Sequence, residues 1–435
     1  MKLLVIGGGA SGMSAASKAK RLKPELEVTV IEMGNFVSYA ECGIPFYLAG
    51  YFDDFSKLLH YPVKEFTEKR GIDIEANRRV KSVDTGNKRV LLETGEVLDY
   101  DYLVVATGAS PNKTKYDSLK GVYSIRSLES AISLKEKMNG NRVCIVGDGV
   151  LGMELASEMA ISGKEVTLIS KHNRLFPKMD EKIISKLLED FSAKINVRLN
   201  EEIRDVQSSD KGLDIILKNE TINSDILIFA IGIVPNTAFL RDSGIKMDNR
   251  GLIMVDRFMK TNVDNVYAVG DCANSFDRIS GKKEWHPLAQ VANKMGRVAG
   301  SNIGGSPMEF KGALGTTLVK IFDYEVGFTG YSEENARKEG YAAKSVMVKA
   351  KSRAAYYPGG QDVMLKIVYD EKTLRILGAE ISGKDGAAWR LNSVETAIYG
   401  GMTMEDLFFN DLGYTPPFGP VWDPIVIAGS LSMRD

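Results

Sequence analysis

Residues 2–32 read KLLVIGGGASGMSAASKAKRLKPELEVTVIE, which is an apolar run, a glycine loop, an alanine-rich stretch and a second apolar run. Residues 142–170 read RVCIVGDGVLGMELASEMAISGKEVTLIS and repeat that order. An apolar run that leads into a glycine loop and then a helical stretch is typical of a strand, a turn and a helix. Because two such units of matching length are much harder to obtain by chance than one, the sequence predicts an α/β fold with two dinucleotide-binding βαβ modules.

The first glycine loop has the spacing of a phosphate-binding turn. Gly7 permits the tight turn, Gly9 lets the backbone approach a pyrophosphate, and Gly12 lets the helix pack against the strand. A phosphate at that point lies at a helix N-terminus, where free N–H groups favour an anion. Glu32, at the end of the second apolar run, is placed to accept hydrogen bonds from a ribose diol. The first module therefore predicts a dinucleotide site.

The second glycine loop, residues 147–152, differs from the first in its acidic residue. The position that matches Glu32 is Ser170, and Lys171 and Arg174 follow it. A carboxylate there repels a ribose 2′-phosphate, whereas a serine followed by cations attracts one. This pattern favours NADPH over NADH, although the two cations also fit an ordinary solvated loop, so NADH stays open.

Two dinucleotide sites with different acid signals suggest a tightly held flavin and an exchanging nicotinamide. Residues 106–108 follow the apolar strand Tyr102–Val105, and residues 230–232 follow Ile226–Phe229, so each is a strand-to-loop crossing beside a cofactor. Asp271 lies at a predicted helix start, where it can bind the flavin's ribityl hydroxyl or cap the helix.

The predicted contacts divide between the two cofactors. Those of FAD are Gly7, Gly9, Ala10, Gly12, Glu32, Met33, Val80, Ala106, Thr107, Gly108, Asp271 and Ala289. Those of NADPH or NADH are Gly147, Gly149, Val150, Leu151, Gly152, Ser170, Lys171, Arg174 and Gly232.

Composition excludes several other classes of protein. The chain of 435 residues has 56 Lys and Arg against 57 Asp and Glu, so its net charge of −1 gives no reason to expect nucleic acid or an anionic membrane as a partner. Three widely spaced cysteines argue against a disulfide framework and for a reducing, cytoplasmic setting. No C-x-x-C, H-E-x-x-H or Cys/His cluster occurs, so no metal site is predicted. The apolar runs are too short for a signal-peptide core or a membrane span.

Cys42 is the candidate redox residue. Cys144 lies within an apolar strand and Cys272 follows Asp271 among apolar neighbours, so both are interpreted as packing residues. Cys42 lies ahead of a possible helix, where a thiol is partly ionised and nucleophilic. Because no residue from 43 to 143 is a cysteine, Cys42 is expected to work alone, through a mixed disulfide with a small thiol or as a sulfenic acid.

These motifs together resemble a known family. The two glycine loops, the Ala-Thr-Gly at 106–108, the Ala-Val-Gly-Asp at 268–271 and the single Cys42 are similar to those of the flavin disulfide reductases with one active-site cysteine. That group includes coenzyme A-disulfide reductases, NADH oxidases and NADH peroxidases. The resemblance covers essentially the whole chain and implies two Rossmann-like domains, a C-terminal α+β dimerisation domain and a homodimer.

The C-terminal part differs in character from the two modules. Antiparallel strands are predicted at 317–322, 345–348 and 363–369, with a helix at about 386–400. The implied domains are an FAD-binding domain at 1–111 and 238–308, an NAD(P)H-binding domain at 112–237, and a dimerisation domain at 309–435.

Three features distinguish members of the family. The oxidases and peroxidases carry a histidine in the flavin glycine loop, whereas residues 9–12 here contain none. The dithiol reductases use a C-terminal histidine, and this sequence has none after His286. Coenzyme A-disulfide reductases use two tyrosines of the C-terminal domain, which match Tyr356 and Tyr414. The resemblance therefore implies a coenzyme A-disulfide reductase with Cys42, Tyr356 and Tyr414 as catalytic residues.

The same resemblance implies a site for coenzyme A. Cations near the first helix would meet its 3′-phosphate, and residues before the cysteine would contact its pantetheine arm. The implied contacts are Lys18, Arg21, Ser38, Tyr39 and Arg70. The sequence departs from the reductases at Glu41, where a neutral Asn is familiar, and this carboxylate is expected to raise the pKa of Cys42.

The implied reaction is reduction of coenzyme A disulfide, or of a related small disulfide or polysulfide, by NAD(P)H through FAD and a Cys42–coenzyme A mixed disulfide. Two alternatives stay open: an NADH oxidase or peroxidase that uses a cysteine sulfenic acid, and a non-enzymatic coenzyme A-bound flavoprotein that acts as a redox sensor. His60, His172 and His286 show no partner carboxylate at a telling spacing and are interpreted as structural or surface residues.

Overall fold

The first segment of the chain folds into a βαβ module followed by a small antiparallel sheet. The structure, a computed structural model, describes residues 1–138 and 140–433. The elements of this segment are β1 (Lys2–Ile6), α1 (Ala10–Leu22), β2 (Glu27–Ile31), α2 (Ile44–Leu48), β3 (Ile72–Glu75), β4 (Val80–Asp84), β5 (Arg89–Leu92), β6 (Val97–Asp99), β7 (Tyr102–Val105) and β8 (Ala109–Pro111).

The second segment repeats the βαβ module. Its elements are β9 (Val122–Ser124), α3 (Leu128–Lys137), β10 (Arg142–Val146), α4 (Val150–Ile161), β11 (Glu165–Ile169), α5 (Glu181–Ser192), β12 (Asn196–Arg198), β13 (Asp205–Ser209), β14 (Gly212–Ile216), β15 (Thr221–Ser224), β16 (Ile226–Phe229) and β17 (Ile233–Pro235). The chain then returns to the first module with β18 (Val266–Ala268), β19 (Ser275–Phe276), β20 (Lys283–Glu284) and α6 (Ala289–Ile303).

Each module is organised around a parallel sheet. The described strands of the first sheet have the order β18-β7-β1-β2-β3, and those of the second have the order β12-β11-β10-β16-β9, with every neighbouring pair parallel. Their central strands are buried on both faces, which is why they read as continuous apolar runs in the sequence. The prediction of two dinucleotide-binding modules in an α/β fold is confirmed.

The C-terminal segment forms an antiparallel sheet with helices packed beside it. Its elements are β21 (Thr317–Ile321), β22 (Tyr324–Gly330), α7 (Glu333–Lys338), β23 (Ala343–Lys351), β24 (Asp362–Asp370), β25 (Ile376–Gly383), α8 (Ala387–Gly400), α9 (Met404–Phe409) and α10 (Pro424–Leu431). The described strands have the order β21-β22-β25-β24-β23. The strands predicted at 317–322, 345–348 and 363–369 and the helix predicted at about 386–400 are therefore confirmed.

Helices α1 and α6 pack unusually close together because α6 has glycines at the crossing. A Cβ added at Gly296 would lie 2.2 Å from the Ser11 carbonyl oxygen, and one added at Gly300 would lie 2.4 Å from that of Ala15. Only glycine fits at such a backbone approach. This packing sets Ser14 of α1 beside Asn293 of α6, whose side chains share a hydrogen bond of 2.6 Å.

The position of Asp271 corrects a prediction. Asp271 lies in a single 3-10 turn, Gly270–Cys272, and helix α6 begins only at Ala289. A Gly-Asp pair after a strand looks the same in the sequence whether it begins a helix or a short turn.

Cys144 and Cys272 are buried, so the interpretation of both as packing residues is confirmed. No helix within residues 1–138 and 140–433 is long and apolar enough to cross a membrane.

Candidate active site

A cavity of about 1700 Å³ connects the first module, the second module and the C-terminal sheet. It is lined by residues from the N-terminus of α1, the turn before α2, the start of α4 and the start of α6. The predicted site residues that line it are Gly9, Ala10, Lys18, Arg21, Ser38, Tyr39, Cys42, Arg70, Ala106, Gly108, Val150, Leu151, Asp271 and Ala289. Candidate residues for FAD, for the nicotinamide nucleotide and for coenzyme A therefore share one space with Cys42.

The first glycine loop has the geometry of a pyrophosphate cradle. Gly7 has φ 104°, and an added Cβ would lie 2.3 Å from the Ala106 carbonyl oxygen. A Cβ on Gly12 would lie 1.9 Å from the Gly7 carbonyl oxygen, whereas one on Gly9 would meet open space. Helix α1 has no side-chain cap at Gly9, so its N-terminus is available to an anion. The Glu32 carboxylate accepts hydrogen bonds from the N–H groups of Gly8, at 2.7 Å, and Gly34, at 2.8 Å.

The second glycine loop repeats this geometry closely. Gly147 has φ 117°, and its added Cβ would lie 2.3 Å from the Ala230 carbonyl oxygen. A Cβ on Gly152 would lie 1.9 Å from the Gly147 carbonyl oxygen, and one on Gly149 would meet open space. Helix α4 likewise has no side-chain cap at Gly149. Both loops therefore fit the phosphates of a dinucleotide by the same backbone approach.

The two strand-to-loop crossings are joined to each other. Strands β8 and β17 pair antiparallel, and Asn236 after β17 donates its side-chain amide to the Thr107 carbonyl oxygen at 2.9 Å. The Thr107 hydroxyl donates in return to the Asn236 carbonyl oxygen at 2.7 Å. Gly232 has φ 97° in the turn between β16 and β17, and its carbonyl oxygen accepts from the Asn112 N–H. These bonds hold the first and second modules together next to the cavity.

Cys42 is exposed within a 3-10 turn, Glu41–Gly43, that leads into the five-residue helix α2. Although Cys42 is exposed to the open cavity, the protein atoms around its thiol displace part of the water, and this desolvation raises the thiol pKa above its usual value. The carboxylates of Glu41 and Glu154 raise this pKa further, whereas Arg126 lowers it. The prediction of a partly ionised thiol is therefore wrong for this structure, because desolvation of the thiol, and after it the nearby carboxylates, raise its pKa. The prediction that Glu41 raises the pKa of Cys42 is confirmed.

Arg126 is a cavity residue that the sequence did not identify. Its guanidinium lies 2.6 Å from the Asp271 carboxylate and 3.3 Å from that of Glu41. It comes from the segment before α3, whereas Asp271 is 145 positions later in the chain. Burial raises the pKa of Glu41, and Arg126 counteracts that rise. Arg126 therefore connects the residue before Cys42 with the predicted flavin-binding acid.

Glu154 and Asn293 also line the cavity and were not predicted. Burial and the nearby Glu158 raise the pKa of Glu154 to about 7, so its carboxyl titrates near neutrality. A glutamate two residues after Gly152 in a helix gave no signal in the sequence, because such a residue ordinarily faces solvent.

The residues after β11 correct the interpretation of His172 as a residue without a partner. His172 Nδ1 lies 2.9 Å from the Asp148 carboxylate, and Ser170 donates to that carboxylate at 2.8 Å. Lys171 is exposed, whereas the Arg174 guanidinium donates to two backbone carbonyls of residues 177 and 179. Arg174 is thus engaged within its own loop, which removes one of the two cations on which the NADPH preference was based.

The residues predicted for coenzyme A lie along one side of the cavity. The Arg70 guanidinium lies 4.6 and 4.8 Å from the ring centroids of Tyr61 and Phe66, which contact each other edge to face. It also donates to Ser17 at 3.3 Å and forms an ion pair with Glu65 at 3.5 Å. Lys18 and Arg21 of α1 make no ion pair within the described residues, so their charges are available to an anion. Ser38, with φ 52°, and Tyr39 lie between these cations and Cys42 in the chain. Burial raises the pKa of Tyr39, so its phenol stays protonated.

Tyr356 and Tyr414 come together, but outside the cavity. Their hydroxyls are 3.1 Å apart, although 58 positions separate them in the chain, and both residues are exposed. Neither lines the cavity that contains Cys42 of the same chain. Met33, which is exposed, and Val80, which packs partly buried against the core of the first module, also lie outside the cavity lining.

Two family models match consecutive parts of this chain. The model described as pyridine nucleotide-disulphide oxidoreductase matches residues 1–296, and the dimerisation domain of the same family matches residues 316–424. The chain belongs to the pyridine nucleotide-disulphide oxidoreductase family. The resemblance inferred from the sequence is thereby confirmed, as is the C-terminal dimerisation domain.

Relatives and solved structures agree with this family over nearly the whole chain. An NAD(P)H sulfur oxidoreductase (CoA-dependent) of Pyrococcus abyssi (strain GE5 / Orsay) is 41% identical over 98% of this chain and 96% of its own length. A coenzyme A disulfide reductase of Staphylococcus aureus (strain COL) is 30% identical over 98% of this chain and 99% of its own. The structure of an NAD-dependent persulfide reductase from A. fulgidus, 31% identical, superposes with a TM-score of 0.94 over 100% of this chain and 83% of its own.

Membership in the pyridine nucleotide-disulphide oxidoreductase family settles the class of chemistry. The chain is an oxidoreductase, and its cofactors are FAD and NAD(P)H. The two glycine loops fit these cofactors, because each combines an uncapped helix N-terminus with open space at its middle glycine.

Proposed function

We propose that this protein is an FAD-dependent NAD(P)H oxidoreductase that reduces coenzyme A disulfide, or a related low-molecular-weight disulfide or polysulfide, through Cys42. The observation that carries the proposal is the position of Cys42, the exposed member of three cysteines, in one cavity with the flavin-type glycine loop and the cations of α1. The names of the relatives from Pyrococcus abyssi and Staphylococcus aureus, both of which mention coenzyme A, support this substrate class.

In the proposed reaction the Cys42 thiolate attacks one sulfur of coenzyme A disulfide. A mixed disulfide forms between Cys42 and one coenzyme A, and the other coenzyme A leaves as a thiolate that takes up a proton. FAD, when bound, supplies the two electrons that it obtains from NAD(P)H. Cleavage of the mixed disulfide by these electrons restores the Cys42 thiolate and releases the second coenzyme A thiol.

The chain's own residues would hold the substrate during this reaction. Lys18, Arg21 and Arg70 are proposed to bind the 3′-phosphate end of coenzyme A, because charge-assisted hydrogen bonds to phosphate favour arginine and lysine. Ser38 and Tyr39 are proposed to contact the pantetheine arm next to Cys42. The cation–π contacts of Arg70 with Tyr61 and Phe66 support its role, because they hold the guanidinium beside the cavity.

Protonation of the departing thiolate is assigned to Tyr356 and Tyr414 of the partner subunit in a homodimer. The two hydroxyls lie 3.1 Å apart, both residues are exposed, and neither lines the cavity of its own chain. Since the chain has the family's dimerisation domain, a second copy can bring this pair to Cys42. The hydrogen bond between the two phenols raises the pKa of Tyr414, so this phenol carries its proton at neutral pH.

The proposal includes the organisation of the molecule. Residues 1–111 and 238–308 are assigned to FAD, residues 112–237 to NAD(P)H, and the segment from 309 onward to dimerisation, in a cytoplasmic enzyme. The pairing of β8 with β17 supports the boundary between the first two, because both crossings lie at it.

Substitution of the proposed nucleophile tests the function. Cys42→Ser should retain the FAD absorbance and lose NAD(P)H-dependent reduction of coenzyme A disulfide by roughly a thousandfold or more. Cys144→Ala, which removes a buried packing thiol, is the matched control and should retain turnover. Unchanged turnover in Cys42→Ser would overturn the proposal, and oxygen or peroxide consumption faster than disulfide reduction in the unaltered enzyme would favour the oxidase or peroxidase.

A further inference from the structure

The second glycine loop contains a buried carboxylate at a position where the first loop has a glycine. Asp148 directly follows Gly147, just as Gly8 directly follows Gly7. Its side chain is 7% exposed, and both of its oxygens point toward the end of β11. A buried carboxylate is costly unless its hydrogen bonds are satisfied, so its partners identify what it does.

In each module a hydrogen bond joins the glycine loop to the end of the second strand, but the acidic residue lies at a different end of that bond. In the first module Glu32, after β2, accepts a hydrogen bond from the backbone N–H of Gly8 at 2.7 Å. In the second module Asp148 takes the place of Gly8, and Ser170, which takes the place of Glu32, donates its hydroxyl to Asp148 at 2.8 Å. The carboxylate thus lies at the end of the second strand in the first module and in the glycine loop in the second module. Ser170 is uncharged, but it is buried and its hydroxyl is hydrogen-bonded to Asp148.

His172 completes this arrangement. Its Nδ1 lies 2.9 and 3.1 Å from the two carboxylate oxygens of Asp148, and its backbone N–H donates to the Ser170 hydroxyl at 3.0 Å. The ring is therefore oriented by a buried acid, while Nε2 makes no hydrogen bond with the described residues. The side chain is 43% exposed, so Nε2 can meet a ligand.

The end of the second strand of a dinucleotide-binding module is where the adenosine ribose is recognised. Of the predicted cations, Arg174 is committed to the Pro177 and Met179 carbonyl oxygens, at 2.8 and 3.2 Å. Lys171 is exposed and makes no ion pair among the residues described, so it can add charge without fixing a geometry. At the end of β11, His172 is therefore the side chain whose orientation is fixed, by its contact with Asp148.

We propose that His172, positioned by Asp148, is the residue that distinguishes a ribose 2′-phosphate from a 2′-hydroxyl in the second module. With Nδ1–H donated to Asp148, Nε2 of the neutral ring accepts a hydrogen bond from a 2′-hydroxyl. In the imidazolium both nitrogens donate, and Nε2–H binds a 2′-phosphate while Asp148 balances the charge. His172 is the binding residue and Asp148 is a positioning residue. The inference rests on the proposed assignment of NAD(P)H to the second module.

Calorimetric titration of the FAD-loaded enzyme with two probes tests this inference. Adenosine 2′,5′-bisphosphate carries the 2′-phosphate and ADP carries the 2′-hydroxyl, and neither takes part in electron transfer. His172→Gln should weaken the bisphosphate about tenfold, because a charge-assisted hydrogen bond is lost, while the ADP affinity changes far less. The ADP titration is the internal control for folding of the loop.

A double-mutant cycle tests the role of Asp148. Asp148→Asn keeps an acceptor for Ser170 but removes the charge, so His172→Gln should cost clearly less in this background than in the unaltered enzyme. Equal losses for both probes, no loss in His172→Gln, or the same loss in both backgrounds would each overturn the inference. Failure of both probes to bind the unaltered enzyme would overturn the assignment of the nucleotide as well. If the enzyme binds the two probes with the expected difference but does not reduce coenzyme A disulfide, the result would count against the proposed function alone.

Discussion

At the residue scale, desolvation and the charges around Cys42 determine the pKa of its thiol. Desolvation raises the pKa of Cys42 most, Glu41 and Glu154 raise it further, and Arg126 lowers it. The thiolate is the nucleophile, so this environment keeps the free enzyme less reactive at neutral pH than an isolated thiol at a helix N-terminus would be. Glu41 thus lowers the fraction of Cys42 that is present as thiolate, and Arg126 offsets part of this effect.

Glu41→Gln should shift the pH dependence of Cys42 alkylation to lower pH. Removing this carboxylate removes one cause of the raised pKa, so the thiolate is present at lower pH and iodoacetamide reacts faster with it near neutrality. The measurement is the alkylation rate of the reduced, FAD-loaded enzyme across pH, read by mass spectrometry. Arg126→Gln is the variant of opposite sign and should shift the profile to higher pH, provided that it retains FAD. A shift of the Glu41→Gln profile to higher pH would contradict this account of Cys42.

At the scale of elements, the sequence predicted what local patterns determine. Strands β7 and β16 were predicted at their observed bounds, because buried parallel strands are continuous apolar runs. Asp271 was placed at a helix start and lies in a 3-10 turn, since the two begin with the same residue types. The contact of His172 with Asp148 joins residues 24 positions apart, and it depends on how strand β11 lies beside the glycine loop. Such contacts arise from tertiary packing and leave no periodic signal.

At the scale of the whole molecule, the proposed active site is incomplete in one chain. Cys42 lies in the cavity between the modules, whereas Tyr356 and Tyr414 lie together on an exposed part of the C-terminal domain. Large apolar side chains, among them Phe409, Phe418 and Trp422, are exposed on the same domain. A surface of this kind fits a subunit interface, in agreement with the family's dimerisation domain.

Mixed dimers should show that the tyrosines act across the interface. A dimer of one Cys42→Ser chain and one Tyr356→Phe/Tyr414→Phe chain contains one site with an intact cysteine and intact tyrosines if they act between subunits. Such dimers, purified with two different tags, should recover about half the activity of the unaltered dimer, because one of two sites is complete. If the tyrosines acted within their own chain, no site would be complete and the mixed dimer would be no more active than the tyrosine variant.

The intact mass of the enzyme tests the central claim, that Cys42 carries coenzyme A as a mixed disulfide, most directly. The holoenzyme is incubated with coenzyme A disulfide, freed of excess ligand and weighed before and after addition of NADPH. The account predicts a gain of one coenzyme A per chain that maps to Cys42, disappears with NADPH and is absent from Cys42→Ser. A chain that gains no mass, or a Cys42→Ser chain that gains the same mass, would contradict it.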